Sequence, residues 1–163
     1  MFIGDLIQEY IFDCKVRKLT TKTIEGYRRM LGYLQNYLME NYGIDQAEDV
    51  RSIHVKHYLV SMAEKGRKPQ YINDLLKVYK TFFGYCAEED YIDRNPTEKV
   101  HNVKQPKVLI RSFSEDEIRK MLNYFTGRDF LSLRNKTMIA MFFDTGMRLS
   151  EVLTLMLEKI NDE

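Results

Sequence analysis

The sequence predicts an all-α protein. Apolar residues recur at helical spacing through most of its 163 residues. No strand-like alternation, internal repeat or low-complexity tract breaks that pattern. Threonine, serine, glycine and proline stand where the periodic segments start and stop.

Ile3, Leu6, Ile7, Tyr10, Ile11 and Cys14 make an amphipathic helix over residues 2–18. Thr20 and Thr21 are good N-cap residues for a second helix, from about Lys22 to Tyr42. Its stripe is Ile24, Tyr27, Leu31, Leu34 and Leu38, and Gly43 suits its end. A third helix starts near Ser52 and carries Ile53, Tyr58, Leu59 and Met62, with Gly66 as its stop. Its His54 and His57 share a face, but no other His or Cys is placed to complete a metal site, so they read as a surface pair. Pro69 suits the first turn of a fourth helix. That helix has the richest stripe of the first half: Ile72, Leu75, Leu76, Tyr79, Phe82, Phe83 and Cys86. Its aromatic residues are assigned to the core rather than to a stacking platform for bases. Asn95-Pro96 ends the unit.

Residues 97–112 lack strong periodicity and carry Pro106 among lysines, as a linker does. Ser114 with Glu117 is a capping box for a helix bearing Ile118, Met121, Leu122 and Phe125. A further helix runs from about Leu131 to Phe143, and a last one follows Arg148 to about Leu157. The organisation predicted is a bundle over residues 1–98, a linker over 99–112 and a second unit over 113–163.

The longest apolar runs are too short to cross a membrane, and the N-terminus is not a secretory signal. Cys14 and Cys86 both fall on apolar helix faces and read as buried free thiols, which places the protein in the cytoplasm. The net charge of +1 argues against a uniformly basic nucleic-acid binder, but the charge is unevenly spread. From Lys15 to Arg29, Lys15, Arg17, Lys18, Lys22, Arg28 and Arg29 face one acid, Glu25. From Lys65 to Lys80, Lys65, Arg67, Lys68, Lys77 and Lys80 face Asp74 alone. Lys99, Lys104, Lys107 and Arg111 follow with no acid among them. A basic face of this kind fits DNA, and ordinary solvated helix faces would give the same pattern.

Asp144 to Glu151 is the stretch with the most chemistry. Asp144, Thr145 and Gly146 break an apolar run, and Arg148 opens the next helical pattern. A guanidinium fits a phosphate bidentately, and a helix start favours the same anion. Glu151 is three residues on, on the same helical face, where it can orient Arg148. The same spacing fits a surface ion pair or a cap, and spacing does not choose between them.

Thr-Gly-Met-Arg-Leu-Ser-Glu at residues 145–151 resembles the motif carrying the first catalytic arginine of the tyrosine recombinases, the phage-integrase family. Three other stretches resemble that family's SAM-like core-binding domain, a four-helix bundle: Thr23–Leu31, Ala63–Gly66 and Tyr91–Pro96. Ser114–Glu117 opens as its catalytic domain does. The resemblance spans nearly the whole chain and matches the front part of an integrase.

Such enzymes cut DNA with a tyrosine nucleophile and form a 3′-phosphotyrosyl bond. Two arginines, a lysine and histidines supply charge and proton transfer, with no metal or cofactor. The resemblance assigns Arg148 to the first arginine and Glu151 to its supporting acid. The family's lysine, His-x-x-Arg segment and tyrosine have no counterpart here, and none of the eleven tyrosines falls in a matching position. The chain is therefore expected to be truncated before the nucleophile, to bind DNA and not to cleave it.

The partners implied are double-stranded DNA and other recombinase protomers on it, and no membrane. The DNA-binding candidates are Lys22, Thr23, Arg28 and Arg29 on the second helix, and Lys68, Gln70, Tyr71, Asn73 and Lys77 on the fourth. Lysines would meet phosphates, while the Gln70 and Asn73 amides could read base edges. Lys104 and Lys107 in the linker would also contact phosphate. The alternative is a non-catalytic helical module for protein interaction or self-association. Phe142, Phe143, Leu153, Leu155 and Leu157 are expected to leave apolar surface uncovered, so the C-terminal helices should self-associate or be poorly ordered.

Overall fold

The computed structural model describes residues 1–106 and 111–155. The described residues form seven α-helices and no strand, in two units, Met1–Lys107 and Val108–Glu163.

In the first unit α1 (Ile3–Val16), α2 (Thr21–Tyr42), α3 (Ser52–Glu64) and α4 (Pro69–Glu88) are joined by short connections. A 3-10 turn at Ala47–Asp49 lies between α2 and α3. Helix α4 packs against each of the other three. Its whole predicted stripe is buried, as is Val78. Tyr10 of α1 meets Phe82 edge-on, with ring centroids 5.6 Å apart. Tyr10, Tyr79, Phe82 and Phe83 are the bundle's largest fully buried side chains, and the area they remove from water stabilises it most.

Local chemistry sets the ends. The Thr20 hydroxyl accepts from the Thr23 N–H at 3.3 Å and starts α2. Gly43 ends it at φ +65, a left-handed conformation that costs glycine nothing. Pro69 occupies the first turn of α4.

Two expectations change in the bundle. Ile53 is exposed, and Val55 joins Tyr58, Leu59 and Met62 in the buried stripe of α3. The i, i+3, i+4, i+7 pattern starts at Val55, and Ile53 lies off that face. The segment read as the start of a linker is also part of the bundle. Ile92, Pro96, Thr97 and Val100 are buried, Val100 with only 2% of its surface exposed. The Asn95 side-chain oxygen accepts from both the Thr97 N–H (2.8 Å) and the Thr97 hydroxyl (2.6 Å). That turn satisfies a buried polar side chain and returns the chain to the core.

The second unit holds α5 (Glu115–Tyr124), α6 (Phe130–Thr145) and α7 (Leu149–Leu153). The capping box at α5 is formed: the Ser114 hydroxyl accepts from the Glu117 N–H, and the Glu117 carboxylate accepts from the Ser114 N–H at 2.8 Å. Asp129 caps α6 by accepting from the Ser132 N–H at 3.0 Å. Among the described residues of this unit only Val152 is buried. Leu157, expected near the end of the last helix, lies outside the described residues.

Candidate nucleic-acid interface

The basic residues of α2 fall on two sides of the helix. Lys22, Arg28 and Arg29 are exposed. Thr23 is half-buried, its hydroxyl 2.8 Å from that of Thr20 at the cap. Arg28 lines a groove of about 600 Å³ between α1 and α2 together with Lys15, Phe12 and Gln35. Arg29 follows Arg28 about 100° around the helix, on the face that continues through Tyr33 and Asn36.

That second face leads to α4. Tyr33, Asn36, Tyr37 and Glu40 of α2, Tyr58 and Met62 of α3, and Lys65, Arg67 and Tyr71 line a groove of about 400 Å³. The Arg67 guanidinium lies over the Tyr71 ring, 5.9 Å from its centroid. A cation stacked on an aromatic face keeps its in-plane N–H donors free for an anion. Lys65, Arg67, Tyr33 and Asn36 were not singled out from the sequence as site residues. The signal was present: Tyr33 and Asn36 continue the Arg29 face at i+4 and i+7, and Lys65 and Arg67 belong to a basic run.

Lys68, the N-cap of α4, and Lys77 are exposed, and Tyr71 is half-buried. The two amides have partners within the protein. Gln70 Nε2 donates to Asp74 Oδ1 at 2.9 Å. Asn73 Nδ2 donates to the Val103 carbonyl at 3.0 Å, and Asn73 Oδ1 accepts from the Val103 N–H at 2.8 Å. Lys104 is the next residue and is exposed. Lys107 lies outside the described residues.

The two histidines of α3 each have a local partner. His54 Nδ1 accepts from the Arg51 N–H at 3.1 Å, and His57 Nδ1 lies 2.7 Å from the Tyr42 hydroxyl. Burial, then the nearby Arg51 charge, holds the His54 pKa below its usual value.

In the second unit α6 ends at Gly146, φ +67, and the chain turns sharply into Arg148. Arg148 is the N-cap of α7. One oxygen of Glu151 accepts from the Arg148 N–H at 2.7 Å, and the other pairs with its Nη1 at 3.1 Å. A single carboxylate thus starts the helix and orients the guanidinium. The Arg148 side chain is 83% exposed, so the pair adds little to stability, and its consequence is orientation. Nη1 supplies one of five guanidinium N–H donors to Glu151, which leaves a pre-aimed fork for an anion. Helix α7 has only five residues, so its dipole adds less at Arg148 than the sequence reading supposed.

The all-helical fold is one shared with the N-terminal helical domains of integrases. No protein-family model matches the chain. It is 31% identical over 160 residues to tyrosine recombinase XerD of Halalkalibacterium halodurans, across 98% of the chain and 54% of the relative. It is 27% identical over 157 residues to tyrosine recombinase XerD of Staphylococcus aureus, across 96% of the chain and 53% of the relative. The chain spans about half the length of the curated relatives it matches. The fold is shared with lambda integrase, seen as a dimer on a COC′ core site, at a TM-score of 0.76 and 17% identity, covering 99% of this chain and 44% of that one. It is shared with the Tn1549 transposon integrase, seen with circular intermediate DNA, at a TM-score of 0.72 and 21% identity, covering 97% and 50%. The chain belongs with the tyrosine recombinases, the integrase family, and corresponds to about half of such a protein.

Proposed function

We propose that this chain is the DNA-binding portion of a site-specific tyrosine recombinase that acts in DNA integration or recombination. The observation that carries this reading is its alignment, over 98% of its length, with tyrosine recombinase XerD. The exposed cations of the bundle would meet phosphates: Lys22, Arg28 and Arg29 on α2, Lys68 at the N-cap of α4 and Lys77 on that helix, then Lys104 and Lys107. Lys65 and Arg67 join that set from the α3–α4 connection. Arg148, oriented by Glu151, would hold a phosphate at the reacting strand when the rest of the enzyme is present. Strand cleavage is assigned to the whole recombinase. The compartment that fits this role and two reduced thiols is the cytoplasm.

The test is duplex binding measured against salt, wild type beside Arg28→Ala/Lys77→Ala. Each phosphate neutralised contributes about −0.9 to the slope of log affinity on log salt. The wild type is expected to show a steep slope and the double variant a flatter one. A folded sample that binds no duplex at low salt would overturn the reading.

A second reading, self-association through the second unit, is favoured by the apolar side chains of α6 and α7 that remain exposed. In the parent protein the same surface would be covered by further recombinase structure or by neighbouring protomers.

A further inference from the structure

We infer that Asn73 is a positioning residue, which holds the chain at Val103 so that Lys104 is presented to DNA beside Lys77. The inference rests on the proposed DNA-binding role and names a determinant that role does not require.

The two Asn73–Val103 hydrogen bonds join residues 30 apart in sequence. A side-chain amide that both donates to and accepts from one residue's backbone imitates a strand pair, and it fixes the direction of the segment as well as its distance. Val100 is the last side chain in the core before this point. His101 and Asn102 are exposed, so the amide clip extends the ordered path three residues beyond that anchor. Lys104 is the first residue past the clip. Lys77 stands one helical turn after Asn73 on the same face of α4. The clip therefore brings a cation of the connecting segment to the edge of the bundle that already carries Lys77. Without it, residues 101–106 would search many conformations, and ordering Lys104 on a phosphate would cost conformational entropy at the moment of binding.

Asparagine is the residue this geometry needs. Aspartate would accept from the Val103 N–H and oppose the Val103 carbonyl with a second acceptor. Alanine would do neither.

The experiment uses the full chain as wild type, Asn73→Ala, Asn73→Asp, Lys104→Ala and Asn73→Ala/Lys104→Ala. Fluorescence anisotropy on duplexes of two unrelated sequences gives affinity against salt, and hydrogen exchange gives protection of the Val103 amide. Wild type is expected to protect Val103, Asn73→Ala to lose that protection and Asn73→Asp to keep part of it, while the α4 core amides keep theirs in both. Asn73→Ala and Lys104→Ala should each lower the salt slope by about 1. The double variant should be no weaker than either single one, because both remove one contact. The loss should be equal on both duplexes. Additive losses, or a loss confined to one duplex, would overturn the inference and make Asn73 a direct or independent contact. An unprotected Val103 in wild type would also overturn it. Wild-type chain that binds neither duplex overturns the DNA-binding role and this coupling together, an outcome distinct from additive losses on a chain that does bind.

Discussion

The Tyr79 hydroxyl donates to the main-chain oxygen of Met30 at 3.1 Å, tying α4 to α2 across 49 residues of sequence. These helices carry Lys22, Arg28, Arg29 and Lys77. The bond is made inside the core, where Tyr79 is fully buried and its ring lies 5.9 Å from that of Tyr58. A buried phenol needs a partner, and Met30 supplies it.

Tyr79→Phe keeps the ring and removes the bond. The Met30 carbonyl retains its place in the α2 ladder, so no acceptor is stranded. The expected loss is about 1 kcal/mol, the net worth of one internal hydrogen bond, read from the urea midpoint. A loss above about 3 kcal/mol would mean that the hydroxyl organises more than this pair. Truncation of the neighbouring ring is a different case. Phe83 is completely buried, and Phe83→Ala should cost about 3–5 kcal/mol through lost burial and a cavity.

Much of this packing is legible in the sequence because one element dominates it. The α4 stripe repeats at helical spacing for about four turns, and nothing competes with it. The α3 face was harder, since Ile53 and Val55 are both apolar and only the tertiary partners of α3 choose between them. The Thr97–Val103 segment was missed because its hold on the bundle is long-range. Val100 is a lone apolar residue with no periodic neighbour, and the Asn73 clip links positions that no local pattern connects. The Arg148–Glu151 pair was legible for the opposite reason, as its partners are three residues apart and a helical turn joins them. The partners that Gln70 and Asn73 have in the fold differ in the same way: Asp74 is one helical turn from Gln70, and Val103 is 30 residues from Asn73.

Alkaline pH should unfold the bundle. Burial pushes the Cys86 thiol up to about 12, the Tyr10 phenol up to about 12, and the Tyr79 phenol further still. These groups are neutral when protonated, and the native state keeps their protons longer than the unfolded chain does. Their contribution is complete below the unfolded values, about 8.5 for a thiol and about 10 for a phenol, and is lost as pH rises toward the folded ones. The urea midpoint should hold steady up to about pH 8.5 and fall increasingly between there and pH 12. A midpoint that stays flat to pH 12 would contradict the assignment.

Gly43 offers a test of backbone geometry alone. A methyl group at this position would meet nothing within 4 Å, so any cost of Gly43→Ala comes from the left-handed φ of +65. That cost should be about 1–2 kcal/mol. Gly43→Asn should cost less, because asparagine tolerates this region. Equal losses for both, measured by urea unfolding, would point to a cause other than backbone conformation.

The second unit should drive association. Phe130, Leu133 and Leu153 are 75%, 63% and 65% exposed, and Phe142 and Phe143 are only half-buried. Side chains of this size gain about 1.5–3 kcal/mol each when removed from water, so a surface carrying several has reason to find cover. Two copies of the chain can supply it. Sedimentation velocity should therefore show mass rising with concentration. Leu133→Glu/Leu153→Glu should shift the population toward monomer, since each buried carboxylate would have to be desolvated. The same variant should leave the Val103 amide protected, because that site lies wholly within the first unit. A chain that sediments as a monomer at every concentration, and is unchanged by the two glutamates, would mean that the second unit covers these side chains without a partner.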